Sequence, residues 1–265
     1  MWTPASPTIR APTSASFGDA ALSDAQRRRF PGWSLFFVAG VAALGVLFVV
    51  LSRGPTGPVL LVYGDSLTVQ SKHDARQIPG TPEYHVIFRA KGGTAMCDWI
   101  RQATKDRSKK PVRIVLAFTG NSATCVRAVF AQGGVPAAVA LYEKSLRQMR
   151  AIFPTVPITI VIPPAVNDQV GWYPLNGEPR LVAMYERVGP QLHMYLNTDA
   201  DSWLTPNHIF VQARPDPMTG KLIDVRLSDG VHLTPAGARW YGAALLETQT
   251  GDRARSGTRA RVASG

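Results

Sequence analysis

The residues best suited to chemistry are one serine near a predicted strand end and an Asp–His pair much later in the chain. Ser66 follows an apolar run of strand length, residues 59–63, and Gly64, which allows a sharp turn. A buried strand that ends in this way holds the hydroxyl at the carboxyl edge of a sheet. A serine hydroxyl is a weak nucleophile alone and needs a base with an orienting acid. Asp229 and His232 are candidates for those two roles.

Alternating strand and helix patterns predict the scaffold that positions these side chains. Runs of β-branched and apolar residues predict five strands, at residues 59–63, 84–89, 112–118, 157–162 and 208–211. Helical spacing and caps predict helices at residues 95–104, 135–153, 180–197 and 235–246. This alternation predicts a mainly parallel sheet covered on both faces. Ser66, the Gly92–Gly93 turn and Asn121 each follow a strand, so we expect all of them at one edge.

The first and last motifs together resemble the SGNH hydrolases, also called the GDSL esterase/lipase family. Gly-Asp-Ser-Leu at 64–67 matches the first block and Asp-Gly-Val-His at 229–232 the last, and the resemblance spans residues 58–247. It implies a three-layer α/β/α, flavodoxin-like fold with a five-stranded, mainly parallel sheet. It also implies that Ser66 is the nucleophile, that His232 is the general base and that Asp229 orients the imidazole.

The same resemblance implies an oxyanion hole made of three hydrogen-bond donors. The backbone N–H of Ser66 would be the first donor. A glycine N–H would be the second; the family pattern fits Gly92 best, and Gly93 is the alternative. The side chain of Asn121 would be the third, although the family's Gly-x-Asn-Asp block reads Thr-Gly-Asn-Ser at 119–122 here.

An uncharged apolar segment at residues 33–52 predicts a transmembrane helix. At about 1.5 Å per residue, a helix of this length matches a bilayer core of about 30 Å. Residues 1–32 are rich in Pro, Ser, Ala and Thr and predict disorder. Three arginines at 27–29 precede the apolar segment and only Arg53 follows closely, which predicts a cytoplasmic N-terminus and an exported remainder. A cleaved signal peptide is the alternative, but no Ala-x-Ala-like site follows.

The exported part is predicted to consist of a tether at 53–57, the hydrolase domain at 58–247 and a disordered basic tail at 248–265. Cys97 and Cys125 are the two cysteines of the chain. An isolated pair in an exported domain often forms a disulfide, and two free buried thiols are the alternative. Because no histidine cluster accompanies them, we expect no metal site.

The net charge of +11 raises the question of a nucleic-acid partner. The arginines, however, lie largely in the two tails, and no basic stripe is interleaved with aromatic residues. This distribution argues against nucleic-acid binding.

Taken together, these features predict a membrane-anchored serine esterase outside the cytoplasm. It would cleave short acyl esters of the acetyl type, on cell-envelope glycan, through an acyl-serine intermediate and without a cofactor. One alternative is an O-acyltransferase to envelope glycan that uses the same three residues; hydrolysis is favoured because no acyl-donor transporter is fused to the chain. The other is a non-catalytic glycan-binding domain, which only the altered block around Asn121 supports.

Overall fold

A computed structural model describes residues 57–76, 84–122, 125–167, 175, 177–216 and 219–247. All of them belong to the compact unit that begins at Pro55. The predicted N-terminal disorder, transmembrane segment and basic tail, at 1–32, 33–52 and 248–265, lie outside the described residues.

The centre of the domain is a five-stranded parallel sheet. Its strands are β1 (Val59–Gly64), β2 (His85–Ala90), β3 (Arg113–Ala117), β4 (Ile158–Val161) and β5 (Tyr195–Asn197). Their order is β2-β1-β3-β4-β5, and every neighbouring pair is parallel. All five carboxyl ends therefore lie at one edge of the sheet, which confirms the predicted fold class.

Six helices cover the two faces of this sheet. They are α1 (Ser66–Ala75), α2 (Ile100–Asp106), α3 (Cys125–Ile152), α4 (Pro179–Gln191), α5 (Asp199–Leu204) and α6 (Pro235–Glu247). Leu60 and Val62 of β1 pack in one core with residues of α1, α5 and α6, whereas Leu61 and Tyr63 pack in a second core with residues of α3 and α4. Successive strand side chains point to opposite faces, so β1 contributes to both cores of a three-layer α/β/α domain.

The fifth strand predicted at 208–211 is wrong, because the strand at that edge of the sheet is β5. His208 ends a 3-10 turn in which its own φ is +56°, a left-handed conformation that cannot continue a strand. The helix predicted over 180–197 ends earlier, at Gln191. His193 then has a φ of +52°, and the chain turns into an extended segment that pairs with β4.

Helix α3 begins ten residues before the predicted range of 135–153 and bends at Gly134, where φ is +59°. Within the described part of the chain, it is the one helix whose length and apolar composition would allow it to cross a membrane. Inside the domain, 17% of its most apolar window is buried. Its second half packs in the domain core through Tyr142 and Met149.

A short antiparallel hairpin, β6 (Ala213–Pro215) and β7 (Leu222–Asp224), precedes the Asp–His segment. These two short strands were not predicted from the sequence. The hairpin leads directly into residue 226, which forms an isolated bridge with Leu233 across the turn that contains Asp229 and His232. The hairpin therefore positions the start of that turn.

Candidate active site

Ser66 lies at the junction of β1 and α1, as its position after an apolar strand predicts. A side chain at Gly64 would lie 2.0 Å from Thr68 Oγ1 and 2.9 Å from the carbonyl oxygen of Ala117, so only glycine fits beneath the turn. Ser66 is the first residue of α1 and is half-buried. Its backbone N–H belongs to the first helical turn, where donors lack intrahelical partners. The junction thus offers both a hydroxyl and a free N–H at the carboxyl edge.

Asp65 is a structural anchor for this junction. It is fully buried and caps α1 by accepting a hydrogen bond from Leu67 N at 3.1 Å. Its other oxygen accepts two hydrogen bonds from Thr119, from the backbone N and from Oγ1, both at 2.7 Å. Burial raises the pKa of Asp65, and these hydrogen bonds and the charge of His232 oppose that rise. Asp65 therefore joins the end of β1 to the segment that follows β3.

The turn after β2 lies beside Ser66. A Cβ built on Gly92 would be 3.8 Å from the Cβ of Ser66, whereas one built on Gly93 meets nothing within 4 Å. Gly93 has a φ of +72°, so glycine at that position serves the turn. The side chain and backbone N of Thr94 both donate to Lys91 O, at 2.7 and 3.4 Å, and close the turn. Of the two glycines, Gly92 is the one next to the nucleophile.

Asn121 follows β3 and is only 3% exposed. Its amide nitrogen Nδ2 has no hydrogen-bond partner among the described residues. Tyr142 holds the local backbone by donating from its hydroxyl to Asn121 O at 3.0 Å. The preceding Gly120 has a φ of +109°, and a Cβ there would lie 1.9 Å from the carbonyl oxygen of Leu175. A buried donor without a partner is costly, so Asn121 is poised to donate to a bound ligand.

Asp229 and His232 form a hydrogen-bonded pair in an exposed turn. Asp229 Oδ2 lies 2.6 Å from His232 Nδ1, and Asp229 Oδ1 accepts from the backbone N of Val231 and of His232 at 2.9 and 2.8 Å. Partial burial acts to raise the pKa of Asp229, but the hydrogen bonds from His232 and Val231 outweigh it and hold that pKa below its ordinary value. An ionised carboxylate fixes the proton on Nδ1, which leaves His232 Nε2 as the basic nitrogen.

Gln70 ties this turn to the nucleophile helix. It lies on α1, one helical turn after Ser66, and its Oε1 accepts from Leu233 N at 3.2 Å. Its Nε2 donates to Leu233 O at 3.5 Å. No motif marks Gln70 in the sequence, although its spacing of four residues from Ser66 places both on one helix face. Gln70 thus fixes the residue next to His232 relative to α1.

The structure brings the candidate residues to one edge of the sheet, but the nucleophile and the base do not contact each other through a hydrogen bond. Within the described residues, no hydrogen bond joins Ser66 Oγ to His232. In ligand-free enzymes such catalytic contacts are often long and tighten when substrate binds.

Cys97 and Cys125 form a disulfide. Cys97 lies in the 3-10 turn that follows the Gly92 turn, and Cys125 is the first residue of α3, shortly after Asn121. The bond therefore links the two chain segments that carry the predicted oxyanion donors besides Ser66. Its reduction would release both segments from each other.

Comparisons with known proteins give a fold but no sequence family. No protein-family model and no curated protein sequence matches the chain. Among solved structures, a lipase/acylhydrolase from Enterococcus faecalis is similar with a TM-score of 0.54 and 19% identity, over 74% of this chain and 96% of that one. A variant of an acetyl xylan esterase from Geobacillus stearothermophilus is similar with a TM-score of 0.51 and 14% identity, over 73% and 96%. The chain therefore has the fold of these acylhydrolase and esterase structures.

Proposed function

We propose that the chain is a serine esterase that cleaves short acyl esters, of the acetyl type, through an acyl-serine intermediate. The observation that supports this most is the Asp229–His232 pair, joined at 2.6 Å on the edge that carries Ser66. The unpaired Nδ2 of Asn121 supports it further. A binding domain without turnover would have no use for an ionised carboxylate that orients an imidazole.

In the first step, Ser66 Oγ attacks the ester carbonyl carbon while His232 Nε2 takes the hydroxyl proton. The carbonyl oxygen becomes an oxyanion, which accepts hydrogen bonds from the backbone N–H of Ser66 and of Gly92 and from Asn121 Nδ2. Asp229 stays ionised and stabilises the imidazolium. One oxyanion donor of this kind contributes roughly 3–4 kcal/mol to transition-state stabilisation.

In the second step, the C–O bond to the leaving alcohol breaks, and that alcohol oxygen takes the proton from His232. The acyl group remains as an ester of Ser66. A water molecule then attacks this ester while His232 takes one of its protons, and the acid leaves as Ser66 Oγ recovers a proton from His232. No metal or organic cofactor takes part in either step.

We further propose that the substrate is a cell-envelope glycan and that the enzyme works outside the membrane. The name of one structural relative, acetyl xylan esterase, supports an acetylated glycan. The apolar segment at 33–52, preceded by the arginines at 27–29, supports a single membrane anchor with a cytoplasmic N-terminus. The disulfide between Cys97 and Cys125 fits an oxidising compartment.

Release of p-nitrophenol from p-nitrophenyl acetate by the detergent-solubilised full chain tests the esterase proposal. We expect turnover that Ser66→Ala abolishes and that Ser108→Ala, a change at an exposed serine in the 3-10 turn after α2, leaves intact. Equal rates for the wild type and Ser66→Ala would refute the proposal. The same assay with added sugar acceptors distinguishes hydrolysis from transfer, because acylated sugar among the products would make the protein an O-acyltransferase.

A further inference from the structure

Arg226 is a fully buried arginine that precedes the Asp–His turn. It is 0% exposed and forms no ion pair with a carboxylate among the described residues. Instead its guanidinium donates to two backbone carbonyls, from Nη1 to Val231 O at 2.6 Å and from Nη2 to Ala165 O at 2.8 Å. Burying a cation that binds only carbonyl oxygens lowers the free energy of unfolding through lost hydration, so the position of Arg226 calls for an explanation.

The two carbonyls belong to two loops at the same edge of the sheet. Val231 lies between Asp229 and His232, and Ala165 lies in the loop after β4. Arg226 therefore holds the Asp–His turn by a hydrogen bond to the backbone of Val231, which lies between the two functional side chains of the turn.

The described residues directly after β4, 162–167, are held by hydrogen bonds and pack against the turn. Ala165 N donates to Oγ1 of the buried Thr205 at 3.1 Å. Asn167 N donates to Gly230 O at 3.1 Å, and a Cβ on Gly230 would lie 2.5 Å from the Cβ of Asn167. Residues 165–167 thus support the turn that Arg226 holds.

The chemistry of an arginine suits this task. Its planar guanidinium carries donors in fixed directions, so one side chain can bond two carbonyls that face each other across a buried gap. Burial lowers the pKa of Arg226 to about 10, and the negative charges of Asp229 and Asp201 are among the neighbours that oppose the fall. The guanidinium is therefore a cation at neutral pH.

We propose that Arg226 is a positioning residue for the reaction, which acts through the Val231 carbonyl, between Asp229 and His232, to orient His232 toward Ser66. This inference rests on the proposed esterase function. It predicts that loss of Arg226 lowers kcat, because a displaced base slows proton transfer, and leaves KM for a small ester nearly unchanged.

The test compares Arg226→Met, Arg226→Lys and the matched control Arg150→Met in the full chain. Arg150 also donates to backbone carbonyls, among them Leu192 O and Val156 O, but at the far end of α3. With p-nitrophenyl acetate we expect kcat to fall about 100-fold in Arg226→Met, and by less in Arg226→Lys, which keeps the charge but lacks the planar fork of two nitrogens that bonds the two carbonyls. Arg150→Met should lower thermal stability and leave kcat unchanged.

Proton NMR supplies a readout that a merely structural role would not move. The Nδ1–H of His232, bonded to Asp229, should give a low-field resonance that is absent from His232→Gln. We expect this resonance to be lost or shifted in Arg226→Met and retained in Arg150→Met.

Wild-type kcat and an unchanged resonance in folded Arg226→Met would overturn the proposal. If Arg226→Met does not fold, Arg226→Lys decides, since wild-type kcat and resonance there would equally overturn it. A wild type without Ser66-dependent turnover would refute the esterase function, whereas the resonance would still report whether Arg226 orients His232.

Discussion

The candidate site has a nucleophile half, with Asp65 and Ser66, and a base half, with Asp229 and His232. The two halves hold their carboxylates in opposite environments. Asp65, on the nucleophile side, is fully buried, and burial raises its pKa. Asp229, on the base side, keeps 44% of its side chain exposed, and its hydrogen bonds hold its pKa below the ordinary value. The carboxylate of the nucleophile half is thus part of the folded core, whereas the two functional side chains of the base half are partly exposed on a turn whose backbone is held from the core. Substitutions in the two halves should therefore affect stability and activity separately.

The largest expected effect is on activity, in the base half. His232→Ala removes the general base, and we expect kcat to fall roughly 10⁴-fold. The free energy of unfolding should change by less than about 1 kcal/mol, because the hydrogen bond to Asp229 that it breaks is partly exposed. Steady-state kinetics and urea unfolding on the same preparation measure both. A large loss of stability would mean that the base half belongs to the core after all.

Asn121→Ala should reduce activity without a matching loss of stability, although Asn121 is buried. Removal of one oxyanion donor lowers kcat by roughly 10² to 10³. Stability should change little, because Nδ2 has no partner to lose in the described structure. The control is Asn197→Ala, at a buried asparagine that donates to Ala244 O and accepts from Asp199 N. Asn197→Ala should lose stability and keep kcat. A loss of stability with unchanged kcat in Asn121→Ala would contradict the assignment of Asn121 as an oxyanion donor.

Asp65→Ala should act mainly on stability. It removes the acceptor of three buried hydrogen bonds, which the N–H groups of Leu67 and Thr119 and the hydroxyl of Thr119 donate. We expect a loss of about 3 kcal/mol in the free energy of unfolding, from urea denaturation. Asp229→Ala should lose less than about 1 kcal/mol. Equal losses would remove the distinction between the two halves.

The smallest expected effect is an opposite pH dependence of stability for the two carboxylates. Because the folded pKa of Asp229 is lowered, its contribution is present above the ordinary value of 3.8 and is lost as pH falls through the folded pKa. The folded pKa of Asp65 is raised, so its contribution is present below 3.8 and is lost as pH rises through that folded pKa.

Urea unfolding of the wild type, Asp229→Asn and Asp65→Asn between about pH 3 and about pH 7 measures this difference. The stability difference between the wild type and Asp229→Asn should grow with rising pH, and that between the wild type and Asp65→Asn should shrink. The same slope for both variants would show that the two carboxylates do not occupy opposite environments.

The strands that carry the site were predictable because they are long and buried. Residues 59–63 and 112–118 are apolar and β-branched, and both became central strands. The fifth strand was not predictable, because β5 has only three residues and depends on pairing with β4 rather than on its own pattern. The run at 208–211 has the composition of a strand, but it pairs with no other strand of the described sheet and begins with a positive φ at His208.

The residues of the site also divide into those that the sequence predicts and those that only the structure reveals. Ser66, Asp229 and His232 were chosen from motifs, because their chemistry requires fixed residue types at short spacing. The family pattern fits Gly92 better than Gly93, and the 3.8 Å distance from the Cβ position of Gly92 to the Cβ of Ser66 agrees with that preference. Gln70 and Arg226 act through contacts with a segment distant in the sequence or in another loop, so only the tertiary structure reveals them.

The most direct test of the central claim is fluorophosphonate labelling followed by peptide mass spectrometry, since the claim is that Ser66 and the Asp229–His232 pair form one site. We expect one adduct per chain, on Ser66, and a labelling rate that falls at least about 100-fold in His232→Ala. No label on Ser66, or the same rate in His232→Ala as in the wild type, would show that the two halves do not work together.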